Sequence, residues 1–261
     1  MRFLQSAIDS SQPLLMKPER AQALCRAAAD KGFTDQLAYF FGDKAKPYRV
    51  GKVGVVPLHG AIGKGLSNYD KATGGADVDE FRAELAKMAA RPDVETVVIH
   101  VNSPGGTVVG VREAADAVYN LGKPTVTFAD DLMASAGYFI GSQADRVVVT
   151  PSSAIGSIGV YQVLYEVDTT RDGYKVEALK SGDLKGAGIY GVPISPEQKA
   201  YLQANIEEMG ADFRSTVLRK RSLVSMDDMR GQDFTGRTAA AKGLVTGLAN
   251  GLDELIAELN A

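Results

Sequence analysis

Val94-Glu-Thr-Val-Val-Ile-His-Val-Asn-Ser-Pro-Gly-Gly106 is the stretch that decides the fold of this chain. Its first eight residues are mostly apolar and rich in β-branched side chains, the pattern of a buried strand. Asn102-Ser-Pro-Gly-Gly106 is then a sharp turn, and Val108 to Leu121 reads as helix. A second unit follows at once. Pro124 to Ala129 is strand-like, Leu132-Met-Ala-Ser-Ala-Gly-Tyr138 turns the chain, and Tyr138 to Ala144 reads as helix before a strand at Arg146 to Thr150. Strand–helix alternation of this kind predicts an α/β fold of repeated βαβ units around a mostly parallel sheet. In such a sheet the loops after successive strands emerge at one edge, which places Asn102–Gly106 and Ala134–Gly137 together.

Working outward, Val53 to Leu58 is a further strand and Val78 to Ala90 a helix with Asp77 as N-cap. Between them His59-Gly-Ala-Ile-Gly-Lys-Gly65 is glycine-rich, but its spacing is not that of a phosphate-binding loop. Ser67 to Ala76 reads as a flexible polar stretch. Residues 1–50 form an N-terminal extension with a helix from Pro18 to about Lys31 and a linker around Pro47; residues 51–261 form the main domain. Strands are expected at Val163–Val167 and Lys175–Leu179, with a glycine-rich loop over Lys180–Gly188. Ser195-Pro-Glu-Gln198 predicts a capped helix to about Ser222, and the C-terminal portion is helical, with segments near Thr238–Lys242 and Asp253–Leu259. No internal repeat is evident.

Composition narrows the function classes. The chain of 261 residues is 45% hydrophobic and 23% charged, with a net charge of -3. Those charges are interspersed, which argues against a nucleic-acid footprint. Cys25 is the single cysteine, so no intrachain disulfide forms. No apolar run approaches the roughly 18 residues of a membrane span, and a cytoplasmic chain without a membrane anchor is expected.

Ser135 is the first candidate for chemistry. It stands at a strand-to-helix junction among small residues, where unpaired N–H groups of a helix N-terminus can receive an oxyanion. A serine nucleophile needs a base. His59 and His100 both precede it, and His100 alternates with apolar neighbours as a core residue would. Lysine is the other option, provided burial lowers its pKa from about 10.4. Lys185, between Gly182 and Gly186, lies in a loop able to approach a cleft, and Ser157 is a hydroxyl able to orient its amine.

Asn102-Ser-Pro-Gly-Gly106, Met133-Ala-Ser-Ala-Gly-Tyr138, Ile155-Gly-Ser-Ile-Gly-Val160 and Ser181-Gly-Asp-Leu-Lys185, in that order, resemble the serine–lysine peptidases related to signal peptide peptidase A. Phe234-Thr-Gly-Arg-Thr-Ala-Ala-Ala-Lys-Gly-Leu-Val245 resembles that family's C-terminal segment, so the likeness covers roughly residues 50–250. The resemblance implies a crotonase/ClpP-like fold. It implies Ser135 as nucleophile, Lys185 as general base and Ser157 as the partner of the lysine. Backbone N–H groups at Gly105, Gly106 and Ala136 would form the oxyanion hole, worth about 3 kcal/mol per donor. It implies no metal or organic cofactor, protein or peptide substrates, and a homo-oligomeric ring in which neighbours can complete one another's sites.

Phage prohead (head-maturation) proteases are one branch of that family. Gln12-Pro-Leu-Leu-Met-Lys-Pro-Glu-Arg20 resembles the start of those members, which implies cleavage of scaffold and capsid precursors in the host cytoplasm. Some phage members continue into a scaffold region, whereas this sequence ends at Ala261. Other readings stay open: a cytoplasmic peptidase of the signal-peptide-peptidase type that degrades small peptides, an acyl-CoA enzyme of the crotonase type, and a catalytically silent assembly component. A ClpP-type triad would need a histidine after the serine, and none follows Ser135.

Overall fold

The computed structural model describes residues 12–17, 46–164, 177–189 and 191–261, together with Ser6 and Glu19. The expected helix from Pro18, Cys25, and most of the expected strand at Val163–Val167 lie outside them.

The chain is built on a six-stranded sheet. Its strands in chain order are β2 (Tyr48–Val50), β3 (Val53–His59), β6 (Thr96–Asn102), β8 (Thr125–Ala129), β10 (Arg146–Val149) and β13 (Gly247–Leu248). They lie in the order β13-β10-β8-β6-β3-β2, and every pair except the antiparallel β2–β3 hairpin is parallel. The hairpin spans the position 50/51 at which the sequence is expected to pass from extension to main domain. Val53, Val55, Val98, Val126, Phe128 and Val148 face one side, and Val56, Leu58, Val97, Ile99, Val147 and Val149 face the other. The period-two alternation buries both faces, which is why these strands read as continuous apolar runs.

Helices cover the sheet. On the face of Val56 and Ile99 lie α2 (Val78–Ala89) and α3 (Val111–Tyr119), with α4 (Ala136–Gly141) and α5 (Pro196–Lys220) joining the same core. Helix α2 buries Val78, Phe81, Leu85 and Met88 at helical spacing, and its N-cap Asp77 accepts N–H bonds from Asp79 and Glu80. Leu85 is fully buried, so truncation to Ala should cost about 2–5 kcal/mol. The capping box of Ser195 and Gln198 starts α5. Helix α7 (Leu252–Asn260) places Leu255 and Ile256 on the opposite face. A short helix α6 (Gly236–Ala241) precedes β13.

Each long strand is followed by a short one that leaves the main sheet. These are β4 (Ala61–Gly63) after β3, β7 (Gly105–Thr107) after β6, β9 (Leu132–Ala134) after β8, and β11 (Ala154–Gly156) after β10. The unit is therefore ββα, the expected strand–helix repeat with a short second strand added to each. The short strands form two further sheets, β1-β7-β4-β5 and β12-β11-β9, with β1 at Leu14–Met16, β5 at Gly75–Asp77 and β12 at Asp233–Thr235. A parallel bridge from Ser103 to Met133 links the two. Ser67 to Ala76, expected to be a flexible stretch, instead contains helix α1 (Asn68–Ala72), because Ser67 caps it by accepting the Asp70 N–H. Glu177–Leu179, expected to end a strand, is irregular, and residues 175–176 lie outside the described set.

Candidate active site

The loops after β6 and β8 do emerge side by side, as the parallel order of those strands requires. Ser103 joins them. Its N–H donates to the Leu132 carbonyl at 2.8 Å and its own carbonyl accepts the Ala134 N–H at 3.0 Å. Its hydroxyl donates to the Gly60 carbonyl at 2.7 Å and accepts the Gly105 N–H at 3.2 Å. Three successive ββα units are thus tied at one buried residue. The sequence reading missed this role, although the Asn-Ser-Pro-Gly-Gly turn carried the signal.

Ser135 follows β9 and precedes α4. Its φ of 53° and ψ of -118° lie where L side chains are strained. Among described residues only Ser157 shares a positive φ without being glycine, at 54°. The two are structurally paired. Strands β9 and β11 run parallel with Ala134 opposite Gly156, so Ser135 and Ser157 are the next residues on adjacent strands. The Ser135 N–H donates to the Gly156 carbonyl at 2.8 Å, and the Ser157 N–H to the Gln232 carbonyl at 2.9 Å. Such backbone strain costs about 1–3 kcal/mol per residue and persists where the surroundings enforce it, commonly at functional sites. Here the effect is to aim the Ser135 side chain off a tight elbow.

Ser135 is 1% exposed, and its hydroxyl has no hydrogen-bond partner among the described residues. A buried hydroxyl without a partner costs on the order of 1–3 kcal/mol, so the fold holds Ser135 here at a cost rather than for a hydrogen bond it makes. Gly105 abuts it. At Gly105, with φ +101°, an added Cβ would lie 2.8 Å from the Ser135 Cβ and 2.1 Å from the Leu15 carbonyl oxygen. At Gly106 it would lie 1.8 Å from the Ile62 carbonyl oxygen. Both glycines exist because backbone approaches from both sides. Ala136 opens α4, whose first N–H groups have no partner within the helix. With only six residues the helix has little dipole, so the donors count and the field does not.

Lys185 sits elsewhere. It is exposed, in a turn where its N–H donates to the Gly182 carbonyl at 3.0 Å. The turn is held to the start of α5 by Gln198, whose amide donates to the Asp183 carbonyl. Because the Ser135 hydroxyl is unpartnered, the serine–lysine contact is not made within this chain as described. Ser157, Gly105, Gly106 and Ala136 are brought to Ser135; Lys185 is not.

The histidines form their own pair. His59 ends β3 with its ring 4.6 Å from that of His100 and edge-on to it. Burial first, and then the proximity of His100, hold the His59 pKa down to about 4, against a smaller upward pull from Asp130. His100 Nε2 is 3.1 Å from the Asp130 carboxylate, a satisfied side chain as expected. Neither histidine hydrogen-bonds Ser135. Among described residues no group of His, Cys, Asp and Glu is placed to hold a metal ion, and no helix is long and apolar enough to cross a membrane.

Comparison with known proteins bears on this geometry. Protease 4 of Salmonella typhi is 30% identical over 80% of this chain, which spans 34% of that protein. Capsid assembly protease C of Escherichia phage lambda is 24% identical over 94% of this chain, which spans 62% of that protein. The chain thus spans between a third and two thirds of these relatives. Among solved structures an enoyl-CoA hydratase/isomerase family member covers 82% of the chain at 18% identity with a TM-score of 0.44, a likeness that carries no weight beside the strand order itself. The model of Peptidase family S49 matches residues 118–261, more than half of the chain and the segment that holds Ser135, Ser157 and Lys185. With the strained, buried serine inside that match, the chain belongs to Peptidase family S49.

Proposed function

We propose that this chain is a serine endopeptidase in which Ser135 is the nucleophile and Lys185 the general base. The observation that carries the reading is the buried, unpartnered Ser135 hydroxyl on a strained elbow beside Gly105. Neutral Lys185 takes the Ser135 proton as the oxygen attacks a peptide carbonyl carbon. The resulting oxyanion is held by N–H groups of the Gly106 region and Ala136. The Gly105 N–H already serves Ser103, and Gly106 is paired in register with Leu15 and Ile62, so this turn must be released to take part. As the C–N bond breaks, the lysine gives its proton to the leaving amine, and water then hydrolyses the acyl-serine by the same route in reverse. Ser157 orients the amine.

Lysine acts as a base only when water is stripped from its amine. Lys185 therefore has to dock, carried by the segment 177–189 of the same chain or of a second copy. Leu179, Leu184 and Ile189 on that segment expose apolar side chains, at 96%, 38% and 44%, and their burial would drive docking. A ring of copies is the arrangement this favours. The protein substrates we assign are scaffold and capsid precursors, since the lambda relative that aligns over 94% of this chain is named a capsid assembly protease.

The test is cleavage of an unfolded protein, and then of a capsid precursor with its scaffold, by wild type, Ser135→Ala and Lys185→Ala. Cleavage of both substrates by wild type alone supports the reading. Cleavage of casein without the precursor leaves a general peptidase of the Protease 4 kind. Full activity in Ser135→Ala removes the proposal. Mixing the two variants decides the geometry, because activity returns only if serine and lysine meet across copies.

A further inference from the structure

The strand Leu14–Met16 was expected to belong to an N-terminal extension, yet it lies inside the site. It runs antiparallel to β7, with Leu14 opposite Thr107, Leu15 opposite Gly106 and Met16 opposite Gly105. On its other edge the Leu14 N–H donates to the Tyr161 carbonyl at 2.8 Å and the Leu14 carbonyl accepts the Tyr161 N–H at 3.1 Å. The Lys17 N–H donates to the Pro104 carbonyl at 3.1 Å, and the Lys17 ammonium pairs with Asp233 at 2.7 Å. Three residues thus fill a slot between the edge of β7 and the bridging residue Tyr161. Pairing on both edges is how an extended peptide is held by strand addition.

The side chains complete the fit. Leu14, Leu15 and Met16 are 0%, 2% and 1% exposed. Leu15 lines a cavity of about 300 Å³ with Val108, Val111, Phe139 and Val160. Met16 lines another of about 370 Å³ with Ser157, Ile158 and Met229. The Leu15 carbonyl sits against Gly105. A methyl built there would meet the Leu15 carbonyl carbon at 3.0 Å and the Ser135 Cβ at 2.8 Å, so both crowd the same point.

We infer that Leu14-Leu15-Met16 is a built-in occupant of the peptide groove, held as a substrate would be, with Leu15 before the position of the scissile bond and Met16 after it. The inference rests on Ser135 being the nucleophile for its meaning, and on the strand pairing for its geometry. It gives the mode of recognition: an extended segment read through backbone pairing with β7, beside two cavities in which apolar side chains meet charged ones, Arg112, Glu208 and Asp212 in one and Glu207, Arg214 and Arg230 in the other. It also gives a control, because an incoming peptide must displace the strand.

The experiment compares the full chain with Leu15→Asp, which puts a carboxylate where a buried Leu side chain packs. Because Leu15 packs into the main core, Leu14→Pro serves as a second variant; it removes the N–H bonded to Tyr161 while staying apolar. Amide hydrogen exchange at Gly105–Thr107, binding of a labelled Gln-Pro-Leu-Leu-Met-Lys peptide, and the rate of Ser135 acylation by a fluorophosphonate are read on each. The expected result is at least tenfold faster exchange in a variant, at least tenfold tighter peptide binding than to wild type, and at least fivefold faster acylation. Equal protection and equal peptide binding in wild type and both variants would overturn the inference. Faster exchange and peptide capture with no acylation of any form would uphold the occupied groove while rejecting the peptidase reading.

Discussion

The Ser135 side of the site and the Lys185 side are built in opposite ways. Around Ser135 almost every backbone group is committed: Ser103 to three units, Ser135 to Gly156, and Gly105 and Gly106 to strands on both sides. Around Lys185 an exposed turn is held by Gln198, and apolar side chains face outward. The comparison teaches that the surroundings of Ser135 are set by folding, whereas Lys185 is left in an exposed turn. Under the proposed mechanism the base would be delivered by docking, and a single open chain would be inactive.

The largest effects should fall on activity at both sides alike and on stability at one only. Ser135→Ala and Lys185→Ala should each lower peptide cleavage by about a thousandfold or more. Lys185→Ala should leave the free energy of unfolding within about 0.5 kcal/mol, since the side chain is exposed. A large loss of stability in Lys185→Ala, measured by denaturant unfolding, would break the contrast.

Gly105→Ala should cost about 2–4 kcal/mol and abolish acylation, because its methyl collides with the Ser135 side chain and the Leu15 carbonyl at a positive φ. Mild thermal destabilisation with normal acylation would show that the Ser135 side is looser than described.

His59 sharpens the comparison through pH. Its folded pKa, about 4, lies below the usual 6.5, so between those values the unfolded chain binds a proton that the folded chain refuses. Stability contributed by the neutral ring is present above pH 6.5 and is lost as pH falls toward 4, by up to about 3 kcal/mol. His59→Phe should flatten that part of the stability curve, measured by urea unfolding from pH 7 to pH 4; an unchanged curve would contradict it. The smallest effect on stability is expected for Ser135→Gly, which relieves the strained φ and should stabilise the fold by about 1 kcal/mol, with activity lost as in Ser135→Ala.

The contrast also explains what could be read in the sequence. Strands such as Val53–His59 and Thr96–Asn102 are long and buried on both faces, so their side chains announce them. Helix starts such as Ser195-Pro-Glu-Gln198 carry their own caps. Strands of three residues, Ala61–Gly63 or Gly105–Thr107, are too short and glycine-rich to show a period of two, so the ββα repeat stayed hidden. Ser135, Ser157 and the two glycines sit at element junctions, where local sequence fixes backbone shape. The seat of Leu14–Met16 was not legible, because strand pairing across some ninety positions leaves no local trace. Lys185 was singled out by its motif alone, and the structure leaves it in an exposed turn without contact to Ser135.

The most direct test of the account is to locate the adduct formed by a fluorophosphonate on the assembled protein, using peptide mass spectrometry on wild type and Lys185→Ala. The account predicts a single adduct on Ser135 in wild type and none in the variant over the same time. Labelling of Ser135 that persists undiminished without the lysine, or labelling of another residue in its place, would contradict it.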